Sequence, residues 1–312
     1  MRIVLALGGN AMTAPDGSSA PWDQQAALEV AAGHIAELVA DGHEVVLTHG
    51  NGPQVGNILL KNELSAEHLP PVSLDWCGAQ TQGTIGFTLI NALERALEAR
   101  DTPRPVAALV SRTLVDPQDP AFAEPTKAVG PYGSAEHAEA MIAQGQQWRD
   151  EGEKGWRRLV PSPEPREMLD APAVAALLAQ GFLVVSSGGG GIPCVPDERG
   201  GFAGVEAVID KDLTATLLSR AVDADLLVIA TDVDHAVLRW GTPEATAIET
   251  VTAGQMRAHL EAGEFGVGSM LPKVEAVTRF VEEGGDRAMI TSLASITEAI
   301  AGRTGTVVTG DA

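Results

Sequence analysis

The strongest constraint on the fold is a series of short, almost uninterrupted apolar runs that alternate with helical patterns. The runs fall at Ile3–Leu7, Val45–Thr48, Val106–Ser111, Leu183–Ser186, Leu226–Ala230, Ala288–Thr291 and Thr306–Val308. Apolar runs without polar alternation predict strands covered on both faces. Between the first two, Leu28, Ala31, Ala32, Ile35, Leu38 and Val39 recur at helical spacing, and Gly42 offers a left-handed stop. Similar patterns predict helices over Gln80–Ala99, Ala173–Ala179, Asp212–Arg220 and Pro272–Glu282. Strand, helix, strand in this order implies right-handed crossovers and an α/β fold with a mainly parallel sheet.

One stretch breaks this rhythm. Residues 115–170 carry DPQDP, EPTK and GWRRLVPSPEPRE, rich in proline, charge and tryptophan. A structureless connection of that length is uncommon in a compact domain, so the expectation is an inserted lid or small subdomain beside an active site. The chain's 312 residues, 45% of them apolar, suffice for a large core in about two domains or one large α/β unit. The 42 acidic against 21 basic residues leave a formal charge of −21. That sign argues against nucleic-acid partners and against an anionic membrane surface. It does not exclude phosphate, because a few lysines in one pocket reverse the local field. Cys77 and Cys194 sit outside any metal-ligand or CxxC spacing, which fits a reducing, cytoplasmic home. No apolar run approaches the ~18 residues of a membrane span, and Arg2 leads straight into the first strand without a signal-peptide pattern.

Three glycine-rich turns follow strand-like runs: LALGGNA (Leu5 to Ala11), LTHGNGPQVG (Leu47 to Gly56) and VVSSGGGGIP (Val184 to Pro193). Glycine lets backbone N–H groups approach an oxyanion that side chains would block. The first turn sets Gly8, Gly9 and Asn10 to face a phosphoryl group, although a plain strand-to-helix turn explains it equally. It matches neither the GxxxxGK[ST] phosphate loop nor the GxGxxG dinucleotide fingerprint. In the second, Asn51 and Gly52 follow the strand directly, and Pro53 opens a helix whose N-terminus would face an anion. His49 reads as a packed or hydrogen-bonded strand-end residue rather than an acid or base. The glycines of the third turn read as room for substrate or a triphosphate, with a mobile hinge as the alternative. Ser186 and Ser187 lack the GxSxG elbow of a hydrolase.

Three further segments carry charge to predicted strand or helix ends. In IDKDL (Ile209 to Leu213), a turn at a helix start would let Asp212 cap the helix while Lys211 reaches a phosphate. A surface charge cluster is the alternative. TDVDHAVLRWGTPE (Thr231 to Glu244) leaves the buried run DLLVIA at the strand end where α/β proteins place ligands. GSMLPKVEA (Gly268 to Ala276) sets Lys273 in a first helical turn, where a cation opposes the helix dipole. A bound phosphate would give it a purpose. Glycine turns with a few lysines are the equipment of phosphoryl transfer, in which positioning and charge stabilisation supply most of the catalysis.

Taken in order, these segments resemble the carbamate kinase family of the amino acid kinase superfamily along essentially the whole chain. The matching stretches include ALGGNA at 6–11, THGNGPQVGN at 48–57, TQGTIG at 81–86, VDPQDPAF at 115–122, PTKAVGP at 125–131 and GWRRLVPSP at 155–163. SSGGGGIP, GVEAVIDKDL, TDVD, GSMLPKVEA and ITSL…GTVV complete the match. Sister kinases for acetylglutamate, aspartate or UMP share the fold and the first glycine turn, but not HGNGPQVGN together with PTK…GWR…PSP.

The resemblance implies phosphoryl transfer between ATP and carbamate with Mg²⁺, commonly run backwards to make ATP at the end of arginine fermentation. It implies a three-layer α/β/α sandwich spanning 1–312 and a homodimer. Within it, an acceptor lobe would span 1–205, a protruding lid 115–170 and a nucleotide lobe 206–312. Lys211 and Lys273 would neutralise the transferring phosphoryl oxygens, Lys127 would reach the acceptor side from the lid, and Asp212 would organise the lysines. Asp210 would hold the loop or a metal-bound water. Gly8, Gly9, Asn10, Gly50, Asn51, Gly52, Gly189 and Gly190 would cradle carbamate and the γ-phosphate. Thr231, Asp232, Val233 and Met270 would join Asp210, Lys211 and Lys273 around the nucleotide, with no protein metal ligand assigned. Two positions depart from the family pattern: Ala128, where many members have proline, and His235, where small or aromatic residues are usual. The competing expectations are a same-fold kinase for a larger acid such as acetylglutamate, and a non-catalytic nucleotide sensor.

Overall fold

The first apolar run becomes the middle of a sheet because both of its faces are apolar. The computed structural model describes residues 1–13, 18, 20–265 and 270–311. The chain starts with β1 (Arg2–Leu7), α1 (Pro21–Ala40), β2 (Glu44–His49), α2 (Gly52–Ser65), α3 (Leu74–Glu98) and β3 (Val106–Ala108). Next come β4 (Arg112–Val115), β5 (Lys127–Gly133), α4 (Ala135–Ile142), β6 (Gln147–Asp150), β7 (Trp156–Val160) and β8 (Pro165–Met168). Then follow α5 (Ala171–Ala179), β9 (Leu183–Val185), β10 (Ile192–Pro196), β11 (Phe202–Gly204), α6 (Lys211–Ala221) and β12 (Leu226–Thr231). The last part holds β13 (Val237–Leu238), β14 (Thr246–Ala247), β15 (Thr250–Thr252), α7 (Ala253–Glu261), α8 (Met270–Glu282), β16 (Arg287–Ser292), α9 (Ile296–Ile300) and β17 (Thr306–Thr309).

Eight strands form the central sheet in the order β15-β17-β16-β12-β1-β2-β9-β3. Every neighbouring pair is parallel except β16 and β17. Alternate residues of β1 feed opposite cores, as a pleated strand requires. Ile3, Leu5 and Leu7 pack with Leu28 and Ile35 of α1 and Leu89 and Leu93 of α3. Val4 and Ala6 pack on the other side with Leu218 of α6 and Val277 of α8. The protein is therefore a three-layer α/β/α sandwich.

The expected elements recur with shifted ends. The run Val106–Ser111 leaves the central sheet after Ala108, and the chain restarts in β4. Ser111 is instead fixed by side chains: its N–H donates to Gln82 Oε1 at 2.8 Å, and its hydroxyl accepts from the Ser187 N–H at 2.8 Å. The helix expected from Gln80 begins at Leu74, and β15 is too short to carry a sequence period.

The rhythm-breaking stretch holds structure of its own. β5, β7 and β6 form a separate antiparallel sheet. β4 and β8, which lead into and out of it, pair with each other in a four-stranded sheet ordered β11-β10-β4-β8. The small sheet is rooted on the body through Val129 and Val160, which pack with Val55, Leu59, Leu74 and Cys77. Parallel pairing of β12, β1, β2 and β9 delivers Thr231, Gly8, Gly50 and the Ser187–Gly191 turn to one edge, where open α/β sheets bind ligands.

Candidate active site

A cavity of about 590 Å³ opens at that edge, between the strand ends, α6, α8 and the small sheet. Gly50, Asn51, Gly52, Gly189, Lys127, Asp210, Lys211, Asp212 and Lys273 line it, so nine residues scattered through the sequence meet there. Three cations arrive from three elements: Lys127 starts β5, Lys211 starts α6, and Lys273 lies in the first turn of α8.

Local chemistry fixes the α6 end. Asp210 is its N-cap, and Oδ1 accepts the Asp212 N–H at 2.9 Å. The cap is thus Asp210, not Asp212 as the IDKDL spacing suggested: only the residue before the helix has the extended backbone a cap needs. Asp210 Oδ2 meanwhile takes Lys127 Nζ at 2.9 Å, so the small sheet reaches the body through an ion pair.

Asp212, freed from capping, lies in the buried first turn and is 3% exposed. Its Oδ1 pairs with Lys211 and its Oδ2 takes Lys273 Nζ at 3.0 Å. Burial alone would raise the Asp212 carboxyl, but Lys211 and Lys273 outweigh it and hold the group below its ordinary value. Burial pushes Lys211 down; Asp212 opposes that shift and Lys273 adds to it. Lys273, 8% exposed, has a tertiary reason to oppose its helix dipole, because Asp212 compensates it. Counting Arg157 and Glu151, which also line the cavity, four cations face three carboxylates among the described residues. One net positive charge results, in a chain whose formal charge is −21.

The glycines serve close approach. A Cβ on Gly50 would lie 3.2 Å from Gly9 N, where the β1 and β2 ends cross. Gly8 N–H donates to the Ala230 carbonyl and Gly50 N–H to the Leu7 carbonyl, each at 3.0 Å. Gly8 and Gly9 therefore stand behind the cavity wall. The Asn10 side chain, with Gly268 and Ser269 of the GSMLPKVEA segment, lies outside the described residues. Gly189 has φ +65° and would drive a Cβ into the Asn51 amide at 2.1 Å. Gly190 has φ +91°, and a Cβ there would meet the Ile209 carbonyl at 2.7 Å. The turn Gly188–Gly190 is thus packed against its own protein rather than left open: of Gly189 and Gly190, Gly189 alone lines the cavity.

His49 is buried, and its Nδ1–H donates to the Gly50 carbonyl at 2.8 Å. Burial lowers its pKa to about 4, the Gly50 carbonyl opposes that, and Lys211 adds to it. It is a neutral packing residue at physiological pH. Pro53 occupies the second position of α2, not the first. Thr231, Asp232 and Val233 stand at the β12 end, outside the cavity lining, with Thr231 Oγ1 donating to Asp232 Oδ1 at 3.0 Å. Met270 opens α8 and is partly buried against the core beneath the sheet.

Sequence reasoning passed over Glu151 and Arg157. Arg157 lies over the Tyr132 ring at 5.0 Å, and its Nε is buried without a hydrogen-bond partner. The GWRR segment pointed to this strand, but only the pleat of β7 turns Arg157 to the cavity and Arg158 to the other side. Among the described residues that line it, the cavity contains no nucleophile paired with a base; it presents ammonium groups, the Arg157 guanidinium and glycine turns.

The comparisons agree with this chemistry. Residues 1–292 match the model of the amino acid kinase family. The chain is 44% identical over 309 residues to a carbamate kinase of Trichomonas vaginalis, covering 98% of each. It is 43% identical over 312 residues to one of Thermococcus kodakarensis, again covering 98% of each. Among solved structures, carbamate kinase from Giardia lamblia bound to AMP-PNP superposes with a TM-score of 0.93 at 38% identity, over 99% of this chain and 98% of that one. The chain belongs to the amino acid kinase family, and within it to the carbamate kinases.

Proposed function

We propose that this enzyme transfers a phosphoryl group reversibly between ATP and carbamate, giving ADP and carbamoyl phosphate. The observation that carries the reading is the convergence of Lys127, Lys211 and Lys273 on one cavity that, among the described residues, holds no activated nucleophile. Carbamate is small and its oxygen is already ionised, so transfer needs positioning and charge neutralisation rather than a strong general base. Lys211 and Lys273, held on one carboxylate, neutralise the equatorial oxygens of the transferring group. Lys127 exchanges Asp210 for the acceptor side, and the Arg157 guanidinium adds positive charge towards the bound anion. Gly50, Asn51, Gly52 and Gly189 cradle the acceptor, with Gly8, Gly9, Gly190 and Asn10 behind or beside them. Thr231, Asp232, Val233 and Met270 receive the nucleotide from the β12 side.

Magnesium carried on the nucleotide would supply charge neutralisation to the phosphates when bound. Among the described residues no group of three or more His, Cys, Asp or Glu side chains forms a metal cage. The site still fits the ion, because Mg²⁺ on phosphates needs only one or two carboxylates, and Asp210 stands at the cavity to meet it or its water.

In the cell the reaction would yield ATP at the end of arginine catabolism, in the cytoplasm. No helix among the described residues is long and apolar enough to cross a membrane. The exposed Trp76 and Phe87 on α3 and Trp22 on α1 support a homodimer. The lobes would divide near 205, with 115–170 as the lid. ATP formation from carbamoyl phosphate and MgADP tests the function. Activity that collapses in Lys211→Ala supports it. Absence of ATP, with MgADP still bound, would favour a larger acceptor such as acetylglutamate or a nucleotide sensor.

A further inference from the structure

Carbamate differs from acetate and from bicarbonate in one group, an amino group that donates hydrogen bonds. A site that selects carbamate therefore needs an acceptor among its donors. Asn51 is the only neutral polar side chain among the described residues that line the cavity. The carboxylates there are engaged elsewhere: Asp212 by Lys211 and Lys273, Glu151 by Arg149, and Asp210 by the α6 cap together with Lys127 at rest or, once Lys127 turns to the acceptor, with the nucleotide's metal ion.

The hydrogen-bond network fixes which end of the Asn51 amide is free. The Thr81 hydroxyl has a single proton, and it donates that proton to the Gly78 carbonyl at 2.7 Å. Towards Asn51 it has only lone pairs left, so the amide must present Nδ2, which donates to Thr81 Oγ1 at 2.9 Å. A flipped amide would set two acceptors against each other. Gly189 closes the other side, where the space a Cβ would fill is taken by the amide itself. Asn51 Oδ1 is left as an acceptor with no partner among the described residues.

We infer that Asn51 Oδ1 accepts the N–H of the carbamoyl group and so selects carbamate over isosteric acids, with Thr81 as the positioning residue that sets the amide. The inference rests on the proposed carbamate reaction. Its test is the ratio of kcat/KM for carbamoyl phosphate to that for acetyl phosphate, each with MgADP and read as ATP formed. Acetyl phosphate has a methyl group where carbamoyl phosphate has the amino group, so losses of phosphate binding or of folding cancel in the ratio.

Thr81→Val keeps the shape, removes both hydroxyl functions and frees the amide to turn. The ratio should fall roughly tenfold or more, as for a polar group left unmatched. Thr81→Ser restores the hydroxyl and should keep the ratio within about threefold of the wild type. Asn51→Ala, which deletes the acceptor and leaves the Thr81–Gly78 hydrogen bond in place, should lower the ratio as Thr81→Val does, and it serves if the valine variant does not fold. A ratio unchanged in Asn51→Ala, with both substrates weakened equally, would overturn the inference and leave the carbamate reaction standing. A wild type that makes no ATP from carbamoyl phosphate would instead remove the functional reading, and this inference with it.

Discussion

Two aspartates hold lysines side by side in the cavity, and the two arrangements differ in almost everything but chemistry. Asp212 holds Lys211 and Lys273 in the body, with Asp212 and Lys273 under a tenth exposed. Asp210 holds Lys127 at 2.9 Å, but the Lys127 side chain is 43% exposed and belongs to the small sheet. A buried pair costs a large desolvation and is strongly destabilising when one partner is lost, whereas an exposed pair contributes little. The contrast separates a buried lysine pair, built into the folded body, from an exposed cation on the small sheet, which the proposed reaction assigns to the acceptor side.

The comparison breaks first at Asp212. Asp212→Asn leaves two buried ammonium groups without a counter-charge and should cost about 3–5 kcal/mol in urea unfolding, with turnover lost. A loss no greater than that of Lys127→Ala would end the distinction between the two contacts. Lys211→Ala removes one cation while Asp212 keeps Lys273, so turnover should drop about 10²–10³-fold with circular dichroism and thermal unfolding near wild type.

The buried half of the site should also set the acid limit of the fold. Below about pH 6.5 the unfolded chain takes up a proton at His49, while the folded protein refuses it until about 4. The unfolded state binds more protons in that window, so stability falls as pH drops from 6.5 to 4, by about 3 kcal/mol. Melting temperature against pH should show that slope, and His49→Gln should flatten it. The smallest stability effect belongs to Lys127→Ala, under about 1 kcal/mol, while kcat/KM falls ~10-fold or more through the lost acceptor contact. Equal losses of stability and activity there would make Lys127 a structural tie.

Much of the fold was legible because its strands are doubly covered. Ile3–Leu7 and Leu226–Ala230 have nowhere to go except the middle of a sheet, and their neighbours in sequence supply the helices. The site was legible in residue type, less so in role. IDKDL announced a charged helix start, but which aspartate caps and which binds lysines depends on backbone geometry that the spacing leaves open. SSGGGG announced close approach without saying to what; the partners are Asn51 and Ile209, far away in the chain. Arg157 and Arg158 are equivalent by type, and only strand pairing in the small sheet separates them.

The amino-acid order by itself determined the alternation of strand and helix, the glycine turns at the strand ends and the presence of three lysines suited to a phosphoryl group. These are local: they follow from side-chain polarity, backbone freedom and period, each read within a few residues. Tertiary structure decided that Lys127, Lys211 and Lys273 meet, that Asp212 is shared by two of them, and that Thr81 turns the Asn51 amide. Those outcomes depend on distances between residues 30 to more than 80 positions apart in sequence, which only the packing of the sheet and its helices sets.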